Sequence, residues 1–166
     1  MLIIDVDGTL TEGTIYYGDN NLEIKAFNTK DGAIIKPMHI LGIETILLTG
    51  RASASVQRRA ADLNVKAIQG VDNKKPVLIN LINEYNVPLE QCAYIGDDLN
   101  DYAVMALCGF KACPADAAAE IQSICDYISP YNGGHGAVRD ICEKILISDN
   151  KYNAFLEIYG IHEELV

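Results

Sequence analysis

What most limits how this chain can fold is an alternation along it. Short runs that are apolar on consecutive residues recur, and the intervals between most of them carry apolar residues at helical spacing. Continuous apolarity, as opposed to every second residue, belongs to strands buried on both faces, and such strands occur in parallel sheets covered by helices. Six runs fit: Leu2–Val6, Glu44–Leu48, Val65–Gln69, Cys92–Ile95, Phe110–Cys113 and Asp126–Ile128. Between them, Val77, Leu78, Leu81, Ile82 and Tyr85 form a helical stripe entered at Pro76, and Val138, Ile141, Cys142, Ile145 and Leu146 form another. Val56, Ala60 and Leu63 predict a third helix, and Asn100 or Asp101 is placed to cap a fourth that ends near Gly109. Ile34, Ile35, Met38 and Leu41 predict one more, interrupted in its early turns by Pro37. The expected fold is a Rossmann-like three-layer α/β/α domain with a parallel central sheet.

One segment breaks the pattern. Thr14–Tyr17 and Leu22–Phe27 flank the turn-rich Gly18-Asp19-Asn20-Asn21, which predicts a projecting β-hairpin over residues 14–27. A lone two-stranded hairpin is marginal in water, so Ile15, Tyr17, Ile24 and Phe27 are expected to pack on their own domain or on another subunit. A helical tail is expected over residues 150–166.

Composition narrows the function. A chain of 166 residues with 49% hydrophobic and 22% charged side chains is long enough for one substantial core, and the expectation is a single domain over 1–166. Thirteen Lys plus Arg against 23 Asp plus Glu, a net charge of -10, would repel a phosphate backbone, so nucleic acid is not an expected partner. No apolar stretch approaches the roughly 20 residues that cross a bilayer, and Met1 is followed closely by Asp5 and Asp7 where a leader would be basic, so no membrane association is expected. Cys92, Cys108, Cys113, Cys125 and Cys142 form an odd set with no C-x-x-C pair, which predicts reduced thiols in a cytoplasmic protein.

Carboxylates gather where ligands bind. The first strand runs into Asp5-Val6-Asp7-Gly8-Thr9, and Asp97-Asp98-Leu99-Asn100-Asp101 follows the strand ending at Ile95, so both acidic groups emerge at the C-terminal edge of the sheet. Bringing Asp5, Asp7 and Asp97 together is costly without a cation, and an oxygen-rich set of this kind suits Mg2+. Asp5 is ionised at neutral pH and needs no activating base to attack phosphorus, forming an aspartyl-phosphate. Asp7, two residues on, can protonate the leaving alkoxide and then accept a proton from the attacking water. Thr49-Gly50 ends another strand-like run, and Lys74, with Lys75 as the adjacent alternative, precedes a helix; a hydroxyl with nearby main-chain N–H groups and a compact cation suit a phosphoryl group.

Other classes fit less well. A phosphoacceptor signalling receiver also uses a strand-end Asp, Thr and Lys, but Asp97-Asp98 come too late for its N-terminal acidic pocket, and Asp7 favours hydrolysis over storage of the phosphoryl group. An EF-hand loop from Asp5 would need Gly and Glu where Leu10 and Tyr16 stand. A phosphomutase needs an enclosed site that excludes water.

In order, Asp5-x-Asp7-Gly-Thr9, Thr49-Gly50, Lys74 and Gly96-Asp97-Asp98 resemble the four motifs of the haloacid dehalogenase superfamily of phosphohydrolases. The resemblance implies Asp5 as nucleophile, Asp7 as acid/base, Thr49, Gly50 and Lys74 as phosphate binders, and Mg2+ held by Asp5, Asp97 and the main-chain oxygen of Asp7. Asp98, Asn100 and Asp101 would support the loop. The intervals Asp7–Thr49 and Thr49–Lys74 are too short for a separate cap domain. With Lys25-Ala26-Phe27-Asn28-Thr29-Lys30-Asp31-Gly32, Thr49-Gly50-Arg51, Arg59-Ala60, Gln69-Gly70 and Gly133-Gly134-His135-Gly136-Ala137-Val138-Arg139, this resembles the compact subgroup that acts on 3-deoxy-manno-octulosonate 8-phosphate or nonulosonate 9-phosphates. It implies a homotetramer whose subunits cover each other's sites. Such substrates add a carboxylate to the phosphate, which Arg51, Arg59, His135 or Arg139 would contact. His135 stands where octulosonate members often carry Arg or Lys and nonulosonate members can carry an acid.

Overall fold

The structure, a computed structural model, describes residues 1–20 and 22–162. In chain order its elements are β1 (Leu2–Ile4), β2 (Tyr16–Tyr17), β3 (Glu23–Ile24), α1 (Thr29–Ile35), β4 (Thr45–Leu48), α2 (Ala54–Leu63), β5 (Lys66–Ile68), α3 (Lys74–Tyr85), β6 (Ala93–Ile95), α4 (Leu99–Met105), β7 (Phe110–Cys113), α5 (Ala119–Gln122), β8 (Tyr127–Ile128), α6 (Ala137–Ser148) and α7 (Tyr152–Ile158). Six strands form one parallel sheet in the order β5-β4-β1-β6-β7-β8. The chain moves outward from β1 to β5, then returns to the other side of β1 and moves outward again. That reversal opens a crevice at the C-terminal end of β1, where sheets of this type bind ligands.

Side-chain alternation on β1 splits the core in two. Leu2 and Ile4 face a layer that includes Ile34, Val56, Ile141 and Phe155, while Ile3 joins Ile46, Leu78, Val104 and Ile121 on the opposite face. The sheet is therefore covered on both faces, the expected three-layer α/β/α fold, and among the described residues no separate cap is inserted. All five cysteines are free, and four of them are buried.

Several boundaries differ from expectation for local reasons. The helix expected around Ile34–Leu41 starts earlier, at Thr29, because Asn28 caps it by accepting from the Lys30 N–H at 2.8 Å. It stops at Ile35; Pro37 lacks the N–H that would continue it, and the following residues proceed as turns. The cap of α4 is Asp98, not Asn100 or Asp101: its side chain accepts from the Leu99 N–H at 2.7 Å and pairs reciprocally with Asp101. The short α5 was not anticipated. In the tail, α7 covers Tyr152–Ile158, and residues 163–166 of the expected helix lie outside the described residues.

The hairpin forms, but only Tyr16 and Tyr17 pair with Ile24 and Glu23, and Asn21 of its turn lies outside the described residues. Of the side chains expected to pack, Phe27 does so, half-buried against the core with the Arg59 guanidinium 5.6 Å from its ring centre. Tyr17 is 71% exposed and Ile24 50% exposed, since the two-residue strands of the hairpin form a sheet of their own apart from the main one.

Ile34 is fully buried and Ile40 is 65% exposed, six residues apart. Ile34→Ala should lower unfolding stability by ~2–4 kcal/mol and Ile40→Ala by less than ~0.5 kcal/mol, as read by urea denaturation.

Candidate active site

β1 lies between β4 and β6, so the residues that follow these three strands converge. Asp5 is held at the end of β1 by its N–H, which donates to the Ile95 carbonyl at 2.9 Å, and it is buried. The chain then makes a wide turn over Val6–Leu10. Gly8 takes φ +94° in that turn, and a Cβ there would fall on the Asp97 carboxylate, so only glycine lets the two acidic loops touch. Thr9 completes the contact, its hydroxyl donating to Asp97 Oδ1 at 2.8 Å. Thr49 is buried directly beyond β4; its N–H donates to the Ile68 carbonyl and its hydroxyl accepts from the Arg51 N–H at 3.3 Å, with half-buried Gly50 between.

Lys74, not Lys75, is the lysine of the site. It opens α3, is 2% exposed, and places Nζ 2.5 Å from Asp5 Oδ1 and 2.6 Å from Asp101 Oδ1. Asp101 is fully buried and saturated: Oδ1 also accepts from the Tyr94 hydroxyl at 2.7 Å, and Oδ2 accepts from the main-chain N–H groups of Asp97 and Asp98. It therefore braces Lys74 and the Asp97 loop together. Asp98 contributes through its cap, whereas Asn100 is exposed and takes no part in that pair.

Asp5, Asp97 and Asp101 bring carboxylate oxygens within 4.8 Å of one another. Burial raises the Asp5 carboxyl well above its usual range, the Asp101 charge adds to this, and Lys74 only partly offsets it. Asp97 is pushed up to about 6, again chiefly by burial. For Lys74, burial alone would lower the pKa, but Asp5 and Asp101 outweigh it and hold the ammonium above its ordinary value. Burial and the same two acids keep the Tyr94 phenol protonated as a donor. One ammonium thus faces more buried carboxylate than it can balance, and with Asp101 committed to protein donors, Asp5 and Asp97 are the side chains suited to a hard divalent cation.

Of the four residues expected to meet a substrate carboxylate, the three arginines are engaged within the chain. Arg59 donates to the Asn28 carbonyl at 3.0 Å while lying over Phe27, and Arg139 donates to Glu143 at 2.5 Å with its guanidinium 5.1 Å from the Phe155 ring centre. Both positions reward a long flat cation that packs on an aromatic ring. Arg51 is exposed and donates to the Tyr17 hydroxyl at 2.6 Å and to Glu23 Oε2 at 3.5 Å, and His135 is exposed. His135 Nδ1 lies 2.8 Å from the Gly133 carbonyl, which can only accept, so Nδ1 carries a proton and Nε2 is turned toward Glu12. The loop bearing His135 rests on the turn that follows Asp5: Gly134 N–H donates to the Thr9 carbonyl at 3.1 Å, and a Cβ at Gly133 would overlap the Gly8 carbonyl.

Sequence reasoning assigned no role to Lys25, Thr9 or Tyr94. Two of them carried a signal. Tyr94 lies in an otherwise apolar strand, and a buried phenol must find an acceptor; Lys25 sits among Ile24, Ala26 and Phe27, where a charge needs a partner.

A strand-end aspartate held by a buried lysine, with a second acidic loop locked against it, defines a hydrolase of the haloacid dehalogenase type. The chain belongs to the haloacid dehalogenase-like hydrolases, whose family pattern matches residues 68–141. It is 39% identical over 152 residues, 91% of this chain and 81% of the relative, to 3-deoxy-D-manno-octulosonate 8-phosphate phosphatase of Escherichia coli (strain K12). The structure superposes with a TM-score of 0.91 at 38% identity on the same phosphatase from Moraxella catarrhalis in complex with magnesium ion, phosphate ion and KDO molecule, covering 95% of this chain and 91% of that one. The cobalt-bound form of the Haemophilus influenzae phosphatase gives 0.88 at 36% identity, covering 93% and 91%.

An acid whose pKa is raised by folding keeps its proton longer in the folded chain, so the stability it adds in acid is lost as pH rises through the folded pKa, here about 6 for Asp97. The repulsion released above that pH is what a divalent cation offsets. Added Mg2+ should therefore raise the melting temperature more at pH 7.5 than at pH 5, and an equal rise at both would contradict the electrostatics of the site.

Proposed function

We propose that this chain is a Mg2+-dependent phosphomonoesterase that hydrolyses a sugar-acid phosphate, 3-deoxy-D-manno-octulosonate 8-phosphate in the first place, through an aspartyl-phosphate on Asp5. The observation that carries the reading is the convergence of Asp5, Lys74 and Asp97 at the end of β1, in a chain 39% identical over 91% of its length to a phosphatase of that name. Nonulosonate 9-phosphates are the alternative substrates, since His135 matches neither the basic nor the acidic residue of the two specificities.

Lys74 fixes Oδ1 of Asp5, leaving Oδ2 to attack phosphorus as the ester P–O bond breaks. Asp7 gives its proton to the departing alkoxide. Its carboxylate then takes a proton from the water that attacks phosphorus, the bond to Asp5 breaks, and inorganic phosphate and the starting enzyme result. Thr49, Gly50 and Lys74 line the phosphoryl side, where hydroxyl, main-chain N–H and ammonium meet developing negative charge. Asp5, Asp97 and the main-chain oxygen of Asp7 would hold Mg2+, which when bound would supply positive charge to offset the carboxylates and the charge developing on the phosphoryl group. Arg51 and His135, at the rim, are the residues proposed to meet the substrate carboxylate.

The enzyme is proposed to act in the cytoplasm as a homotetramer. Exposed Tyr16, Tyr17, Leu22 and Ile24 on the hairpin support that assembly, because a cluster of this kind is costly in water and is relieved by a neighbouring subunit. No helix of the described residues is long and apolar enough to cross a membrane.

Phosphate release measured on octulosonate, nonulosonate and simple sugar phosphates, with and without Mg2+, tests class and specificity together; turnover independent of Mg2+ would overturn the mechanism. Asp5→Asn should abolish release with the fold intact, and Asp7→Asn should slow it by about 100-fold or more. A strict monomer by size exclusion at assay concentration would overturn the tetramer.

A further inference from the structure

The strand segment leaving the hairpin carries a lysine that the reaction above does not use. Lys25 has no exposed side-chain surface, and its Nζ lies 2.5 Å from Asp7 Oδ1 and 3.6 Å from Glu23 Oε1. A lysine that served solubility would extend its ammonium into water, as long cationic side chains on surface strands do. This one is buried beside a hairpin whose Tyr16, Tyr17 and Ile24 are all exposed. Burying an ammonium is tolerated only against opposite charge, so its place is set by Asp7 and Glu23.

The dependence runs the other way as well. Among the described residues Lys25 is the side chain that holds the Asp7 carboxylate, and Asp7 Oδ2 has no hydrogen-bond partner. One oxygen is clamped and the other is uncommitted. Glu23 is itself held by Arg51 at 3.5 Å, and Arg51 donates to the Tyr17 hydroxyl at 2.6 Å. A continuous chain of polar contacts thus joins the projecting hairpin to the residue two positions beyond Asp5.

We propose that Lys25 is the positioning residue of Asp7, and that the hairpin, through Lys25, sets the orientation in which Asp7 meets the leaving oxygen. The inference rests on the reading of Asp7 as acid/base. Proton transfer requires the acid within hydrogen-bond reach of the departing oxygen, and a carboxylate free to swing about its side-chain torsions spends little time there. Lys25 does not touch substrate in this account; it acts through Asp7.

The leaving group separates this role from a merely structural one. Departure of a sugar alkoxide needs a proton, whereas nitrophenolate leaves without one, and kcat/KM reports only the steps up to that departure. Lys25→Met, which keeps the length of the stem and removes the charge, should lower kcat/KM on octulosonate 8-phosphate by about 100-fold and on p-nitrophenyl phosphate by less than about 5-fold. Lys25→Arg should recover part of the loss on the sugar ester. In an Asp7→Asn background Lys25→Met should cost nothing further. Equal losses on the two esters, or losses that add to those of Asp7→Asn, would overturn the proposal. If Lys25→Met does not fold by circular dichroism, the ratio of the two esters for Lys25→Arg decides in the same way, an unchanged ratio overturning it. Wild-type protein inactive on both esters would instead overturn the phosphatase reading on which this rests.

Discussion

The site is organised around the buried ammonium of Lys74 between Asp5 and Asp101. Three elements meet there: the end of β1, the first residue of α3 and the first turn of α4. Each group would be costly alone in the interior, and each is tolerated because the others are present. Asp101 is the residue that makes the arrangement rigid, since it accepts from Lys74, from Tyr94 beneath, and from the two N–H groups that begin the Asp97 loop. Asp5, Lys74 and the Asp97 loop are therefore tied to one another, which is the preorganisation that the proposed phosphoryl transfer demands.

Around this centre lie two further components. The Gly133–Gly136 loop rests its backbone on the turn that follows Asp5 and is tied to the start of α1, where Asn28 donates to the Gly134 carbonyl and Asp31 accepts from the Arg139 N–H. The hairpin reaches the centre through Lys25 on Asp7 and through Arg51 beside Thr49, and leaves Tyr16, Tyr17 and Ile24 exposed. The proposed chemistry is thus built into the sheet, while the residues proposed to meet the substrate lie on segments outside it.

Much of this is legible in the sequence. Continuous apolar runs located all six strands of the main sheet to within two residues at each end, because strands buried on both faces leave little room for polar side chains. Asp5, Thr49, Lys74 and Asp97 could be grouped because each follows a strand, and strands of a parallel sheet end on one edge. What misled was local chemistry competing with periodicity. Ile34, Ile35, Met38 and Leu41 keep helical spacing, yet Pro37 ends the helix and the last two reach the core from turns. For Arg59 and Arg139 the positive charge is plain in the sequence, whereas the aromatic rings they pack on, Phe27 and Phe155, are distant along the chain and only the fold pairs them.

By itself the sequence determined the class of fold, the edge on which ligands bind and the kind of reaction, because these follow from hydrophobic order and from acids placed after strands. Only the tertiary structure decided which charges are neighbours: that Asp101 braces Lys74, that Thr9 and Gly8 lock the Asp97 loop, and that Lys25 from the hairpin clamps Asp7. The physical reason is that burial makes a charge choose a partner, and the partner is set by which segments the packed core brings together, at separations along the chain that no local pattern encodes.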